Sequence, residues 1–229
     1  VGMAEACLKV FKHHNVAVYM SSDFACCGIP AVSSGDGKAM VMYLRKNLEL
    51  LGDVDFDYIV TPCGSCAGTM KEYWPKYAHR IDDTAYYLAK NIAKKTMDVT
   101  QFIVDVLGVH AMQPRDNAVD VTYHDSCHLR KGLGVHTQPR ELLQANPGYH
   151  YVEMKEADRC CGCGGSFTLF HYDLSKQIGQ RKRDNIVNSN ARIVAAACPA
   201  CMMQLEDVLA SNHDSVTVKH PVEIYAESL

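Results

Sequence analysis

Ile193-Val194-Ala195-Ala196-Ala197-Cys198-Pro199-Ala200-Cys201 is a short apolar run that stops at a cysteine, and a helical pattern begins beyond it. Tyr58-Ile59-Val60-Thr61-Pro62-Cys63-Gly64-Ser65-Cys66 repeats the arrangement earlier in the chain, and Val121-Thr122-Tyr123-His124-Asp125-Ser126-Cys127 ends another β-rich run on a cysteine. Each pattern is a buried strand whose carboxyl end delivers a thiol to the start of a helix. That is where open α/β sheets place their ligand crevices. The amino end of the following helix favours a thiolate over a thiol.

The same stretches expose a duplication. Cys26-Cys27-Gly28 and Cys160-Cys161-Gly162 stand 134 positions apart, and the same offset places Leu8 on Leu142, Val18 on Val152, Met20 on Met154 and Ile59-Val60 on Ile193-Val194. After one inserted residue Cys63 and Cys66 meet Cys198 and Cys201. The chain therefore reads as two copies of one α/β unit with parallel sheets, residues 1–112 and 113–229, with metal sites at the carboxyl ends of strands. Strand signals fall at residues 16–20, 58–61, 119–123, 149–154, 192–196 and 216–219. Helical period covers residues 37–51, 82–107, 138–145, 169–188 and 200–211. Copy two carries five cysteines in the pattern, Cys127, Cys160, Cys161, Cys198 and Cys201; copy one carries Cys26, Cys27, Cys63 and Cys66. The counterpart of Cys127 would fall at position −7. The expectation is a natural protein that begins earlier, with a strand and a cysteine seven or eight positions ahead of Val1, so that the first unit is incomplete at its N-terminal side. Cys7 is no substitute, because it aligns with Glu141 in a helix.

Eleven cysteines in 229 residues are the compositional anomaly. Residues 1–18 read as an amphipathic helix entering a strand rather than a secretory signal, and an odd count of bunched cysteines suits converging thiolates better than disulfides. Cys7 and Cys163 read as small buried side chains. With 23 basic and 26 acidic residues the net charge is −3, so no basic field exists for nucleic acid. The longest apolar run, residues 193–203, falls short of the roughly 20 residues a membrane helix needs, so the sequence predicts a soluble, cytoplasmic chain without direct membrane insertion.

Zinc and iron–sulfur clusters both draw on thiolates. Structural zinc closes with four ligands, so the five cysteines of copy two favour a cluster, whereas the four of copy one suit either. His124 and His128 flank Cys127; they read either as hydrogen-bond partners that tune a cluster or as ordinary strand-end histidines. Arg181, Lys182 and Arg183 read as a solvated helix face, and His13 and His14 as the close of the first helix. There is no ferredoxin-type cysteine run, no phosphate-binding P-loop and no dinucleotide glycine spacing. Hydride chemistry belongs to an organic cofactor, so a partner must supply it.

Cys26-Cys27-Gly28-x-Pro30-Ala31, Gly64-Ser65-Cys66, residues 102–109 (FIVDVLGV), His124-Asp125-Ser126-Cys127-His128 and Cys160-Cys161-Gly162-x-Gly164-Gly165-x-Phe167 together resemble the cysteine-rich CCG domain family. That family includes the cysteine-rich subunit of heterodisulfide reductase, the glycolate oxidase iron–sulfur subunit and one subunit of anaerobic glycerol-3-phosphate dehydrogenase. The likeness covers essentially the whole chain and is greatest to the lactate utilisation protein A type, with both CxxC pairs kept as in heterodisulfide reductase. The resemblance implies one or two [4Fe-4S] clusters, of the non-cubane kind in the heterodisulfide reductase relative. Cys127, Cys160, Cys161, Cys198 and Cys201 would form one ligand set, and Cys26, Cys27, Cys63 and Cys66 most of another. It also implies an electron-transfer subunit of a lactate- or glycolate-type oxidation complex, working with flavin- or ferredoxin-bearing subunits, its cluster acting in a variant reading on a disulfide or quinone. The alternative is a zinc-stabilised scaffold with an assembly role.

Overall fold

The computed structural model describes residues 2–165 and 167–229; Val1, where the first predicted unit opens, lies outside them. In the first half the order is α1 (Gly2–His13), α2 (Ile29–Ser33), α3 (Gly37–Gly52), β1 (Ile59–Thr61), α4 (Gly64–Gly68), a π-helical turn (Thr69–Tyr73), α5 (Trp74–Ala78), α6 (Asp83–Lys95), β2 (Thr96–Asp98) and α7 (Val99–Gln101), which runs on as π-helix through Phe102–Val106. The second half holds β3 (Val119–His124), a π-helical turn (His128–Gly132), α8 (Thr137–Gln144), β4 (Tyr149–Tyr151), α9 (Phe167–Phe170), α10 (Tyr172–Asn188), β5 (Ile193–Ala196), α11 (Pro199–Ser211), β6 (Thr217–Lys219) and α12 (Pro221–Ala226).

Both sheets are parallel, as the alternation of strand and helix predicts. The second half forms a four-stranded sheet in the order β4-β3-β5-β6, and the first a pair, β1-β2. Their registers correspond: Ile59 faces Thr96 as Ile193 faces Thr217. The helices form for ordinary reasons. In α3, Met40, Leu44, Leu48 and Leu51 recur on one face and are buried, and the Asp36 side chain accepts from the Ala39 amide at 2.9 Å to cap the start. That face packs against Trp74, Ala85, Ala89 and Ile92 to make the core of the first unit. A second core joins the halves: Cys7 and Val10 of α1 pack with Ile103, Leu142, Val222 and Tyr225. The repeats are thus one body, and Cys7 is a small buried side chain in that shared core.

Three sequence readings are corrected. Residues 16–20 form no strand. In the second half their counterpart β4 pairs only with β3, and nothing among the described residues takes the β3 position beside residues 16–20. A cavity of about 620 Å³ lies there instead, between residues 16–20 and β1, lined by Leu8, Phe11, Val18, Met20, Ile59 and Phe102. The predicted long helix of residues 82–107 is broken by β2, whose three residues pair with β1. Lys182 is buried rather than solvated; its ammonium donates to the carbonyls of Glu156 (2.6 Å) and Ala157 (3.1 Å) and ties α10 to the turn ahead of Cys160.

The two Cys-Cys-Gly loops share one conformation at the glycine. Gly28 has φ 95° and Gly162 φ 98°, a left-handed conformation that side chains resist. In each, the glycine amide donates to the sulfur two residues back, at 3.5 Å to Cys26 and 3.3 Å to Cys160. A Cβ on Gly162 would stand 2.5 Å from the Ser175 carbonyl oxygen, whereas one on Gly28 would meet the flexible end of Met40. Both Gly28→Ala and Gly162→Ala should therefore lose about 1–3 kcal/mol to backbone strain. Gly162→Ala should lose about 1–3 kcal/mol more, because the backbone it meets cannot move aside. Denaturant midpoints of the two variants test the ordering, and a larger loss for Gly28→Ala would contradict it.

Candidate metal centre

Cys63 and Cys198 occupy equivalent positions, each in extended conformation as the residue before a helix (φ −139° and −157°), at the carboxyl ends of β1 and β5. Cys66 and Cys201 follow one turn into α4 and α11. Cys27 approaches Cys66 from the first Cys-Cys-Gly loop, and Cys161 approaches Cys201 from the second. Each repeat therefore brings one thiol of its Cys-Cys-Gly loop to the second cysteine of its own CxxC pair.

The spacing does not show that the two groups touch. Cys63 lies within hydrogen-bonding reach of Cys198. The sulfurs run as one chain across both units: Cys26, Cys27, Cys66, Cys63, Cys198, Cys201, Cys161, Cys160. The join is built from backbone. The Gly64 amide donates to the Ala197 carbonyl at 3.1 Å, and a Cβ on Gly64 would stand 2.9 Å from Leu129 Cβ, so only glycine admits this approach. Ser65 Oγ lies 3.5 Å from Cys198 Sγ and 2.8 Å from His128 Nδ1, which links all three elements. His128 thus has a partner in the first unit, a role its neighbour His124 does not share.

Burial grades the array. Cys161, Cys198 and Cys201 are buried and Cys63 packs against them, whereas Cys26, Cys127 and Cys160 are exposed at the rim. Cys127 stands close enough to feel the charge of Cys161 and Cys198. Cys163 is half-buried and does the same. Protons are shared unevenly. The Cys66 thiol donates to Cys27 and lowers it to about 6. Cys160 and then Cys201 pull Cys161 down strongly, and Cys201 with Cys63 does so for Cys198. The donors move the other way: Cys198 above all pushes Cys63 up to about 12, and Cys66, Cys160 and Cys201 lie well above the ordinary thiol range.

The loop carrying Cys127 is held by a charge network that sequence reasoning missed. Asp125 is buried; burial pushes its pKa up, but the guanidinium of Arg140, helped by Arg130, outweighs this and holds the carboxyl below its usual range. Arg140 donates to both carboxylate oxygens at 2.8 Å, and also to Glu153 and the His136 carbonyl. A carboxylate ending an apolar strand was the available signal. In the first unit Asn47 does comparable work, accepting from the Ala25 amide at 2.9 Å and donating to the Cys26 carbonyl at 3.2 Å, while Trp74 Nε1 donates to the Cys27 carbonyl at 2.8 Å.

With this geometry in view, the cysteine-rich domain family model, CCG, matches residues 2–71 and 121–206. The chain belongs to this family. Lactate utilization protein A of Exiguobacterium sp. is 31% identical over 229 residues, covering 99% of this chain and 91% of that protein. A fumarate reductase (CoM/CoB) subunit of Methanothermobacter marburgensis is 30% identical over 209 residues, 91% of this chain but 39% of the relative. An uncharacterized iron-sulfur protein of Methanococcus maripaludis is 30% identical over 207 residues, 90% of this chain and 38% of its own length. The chain thus spans about two fifths of the archaeal relatives. No helix of the described residues is long and apolar enough to cross a membrane.

The donor set fits a thiolate-held metal group: sulfurs stand in neighbouring pairs along the array, and several are already poised as thiolates. Because Cys66, Cys160 and Cys201 keep their protons near neutral pH, metal must displace them. Zinc affinity should accordingly rise as pH is raised from 6 to 8, with protons released on binding. Calorimetry in two buffers of different ionisation enthalpy measures that release, and pH-independent affinity without released protons would contradict the assignment.

Proposed function

We propose that the chain is an iron–sulfur subunit of an oxidoreductase complex acting on a lactate- or glycolate-type hydroxy acid. In this reading Cys127, Cys160, Cys161, Cys198 and Cys201 hold one [4Fe-4S] cluster, and Cys26, Cys27, Cys63 and Cys66 the metal group of the first unit. The observation that carries it is the unbroken chain of sulfurs across the two repeats. Support comes from the five-thiol pattern, which exceeds what structural zinc needs, and from relatives whose names specify iron–sulfur proteins, lactate utilization and fumarate reduction. A bound cluster would supply one-electron transfer.

The protein's own residues have definite parts in this scheme. Burial of Cys161, Cys198 and Cys201 keeps water from the centre. The Asp125–Arg140 pair fixes the Cys127 loop, and Gly64 brings the two centres into contact. The exposed rim of Cys26, Cys127 and Cys160 leaves the array open to a redox partner, or in a variant reading to a disulfide or quinone. Flavin- or ferredoxin-bearing subunits are the proposed partners, because the sequence shows no dinucleotide or ferredoxin motif. The proposed compartment is the cytoplasm, where such thiols stay reduced. The proposed unit boundary at 112/113 falls in the irregular connector of residues 108–118.

Anaerobic preparations should be brown and contain iron with acid-labile sulfide. Cys161→Ser should remove the second-unit cluster, while Cys163→Ser keeps it, since the repeat equivalent of Cys163 is Ile29. Zinc without sulfide would overturn the cluster in favour of a metal-stabilised scaffold, and equal iron loss in both variants would overturn the ligand set.

A further inference from the structure

His124 ends β3 against the sulfurs of the second unit. Its side chain is buried, and among the described residues neither Nδ1 nor Nε2 pairs with a nitrogen or oxygen atom; the polar neighbour within its reach is the Cys161 sulfur. Leaving a buried polar group unpaired costs about 1–3 kcal/mol. Thr122, Tyr123 and Ser126, on or beside the same strand, also have unpaired buried hydroxyls, so the lack of a partner does not by itself single out His124. Its surroundings do. An imidazole nitrogen of His124 and the sulfurs of Cys161 and Cys201 all lie within 4.8 Å of one another, and all three residues are buried. Outside this group of three, Cys160 adjoins the Cys161 sulfur and Cys198 the Cys201 sulfur.

We propose that His124 is a nitrogen ligand of the second-unit metal centre, forming with Cys161 and Cys201 the buried floor of a mixed nitrogen–sulfur site. This goes beyond the all-cysteine set, in which the strand-end donor is Cys127, exposed and three residues further on. A neutral imidazole adds a donor without adding negative charge to an array already crowded with thiolates. It also gives the ring a stronger partner than the weak acceptor sulfur of Cys161. In an iron–sulfur site, histidine in place of thiolate raises the reduction potential. With a single divalent ion, one nitrogen and three sulfurs complete a tetrahedral shell.

The test uses zinc alone and is independent of the cluster reading, which fails or stands on sulfide content. Full-length protein with Cys26→Ser and Cys27→Ser, which disable the first unit, is loaded anaerobically with zinc and measured by X-ray absorption. The expected spectrum shows one imidazole, with its outer-shell scattering, at about 2.0–2.1 Å among sulfurs at about 2.3 Å. His124→Ala should lose the imidazole signature and bind cobalt(II) at least about tenfold more weakly. His124→Cys should restore binding with an all-sulfur shell, which separates a ligand from a packing role. An all-sulfur shell before His124 is changed, imidazole scattering that survives His124→Ala, or no zinc uptake would overturn the proposal. The unsubstituted-His124 spectrum decides the matter even where His124→Ala fails to fold.

Discussion

The hydrogen bond from the Gly64 amide to the Ala197 carbonyl is the constraint on which the site depends. Each repeat alone could place a thiol at a strand end and a second one turn into the next helix. Only the backbone approach at Gly64 sets those two strand ends against each other, so that Cys63 meets Cys198. Any side chain at position 64 would meet Leu129 and hold the halves apart. The shared core of α1, α7, α8 and α12 residues supplies the apolar burial that keeps this approach closed.

Closure has an electrostatic consequence. Eight sulfurs in contact cannot all ionise, since like charges at such separations oppose one another. Cys27, Cys161 and Cys198 take the negative charge, while their neighbours keep protons and donate to them. The array is thereby held ready for positive charge in the form of metal, and the exposed rim leaves a route for it to enter. The buried carboxylate of Asp125, balanced by Arg140 and Arg130, stiffens the second unit where its strand-end loop bears Cys127.

Much of this was legible in the sequence for physical reasons. A duplicated pattern of strand, cysteine and helix start is local, and local patterns survive folding; hence β1, β3, β5 and the starts of α4 and α11 lie where the periodicity puts them. What was lost depended on partners distant in the chain. Residues 16–20 have strand composition but no neighbouring strand to pair with, and composition cannot report that. β2 is three residues between two helical segments, too short for period to reveal. Lys182 looked like part of a charged helix face because the carbonyls it satisfies lie 25 and 26 residues earlier. The contact between Cys63 and Cys198 was invisible for the same reason: nothing local in either motif specifies that the repeats dock strand end to strand end.

Cross-linking in metal-free protein tests that docking most directly. In a Cys66→Ser/Cys201→Ser variant the competing partners one turn away are gone, which leaves Cys63 and Cys198 facing each other. Mild oxidation followed by digestion and mass spectrometry should yield a disulfide joining the peptide of Cys63 to that of Cys198. Disulfides confined within each repeat, with both of these thiols free, would show that the two sets of cysteines are separate sites.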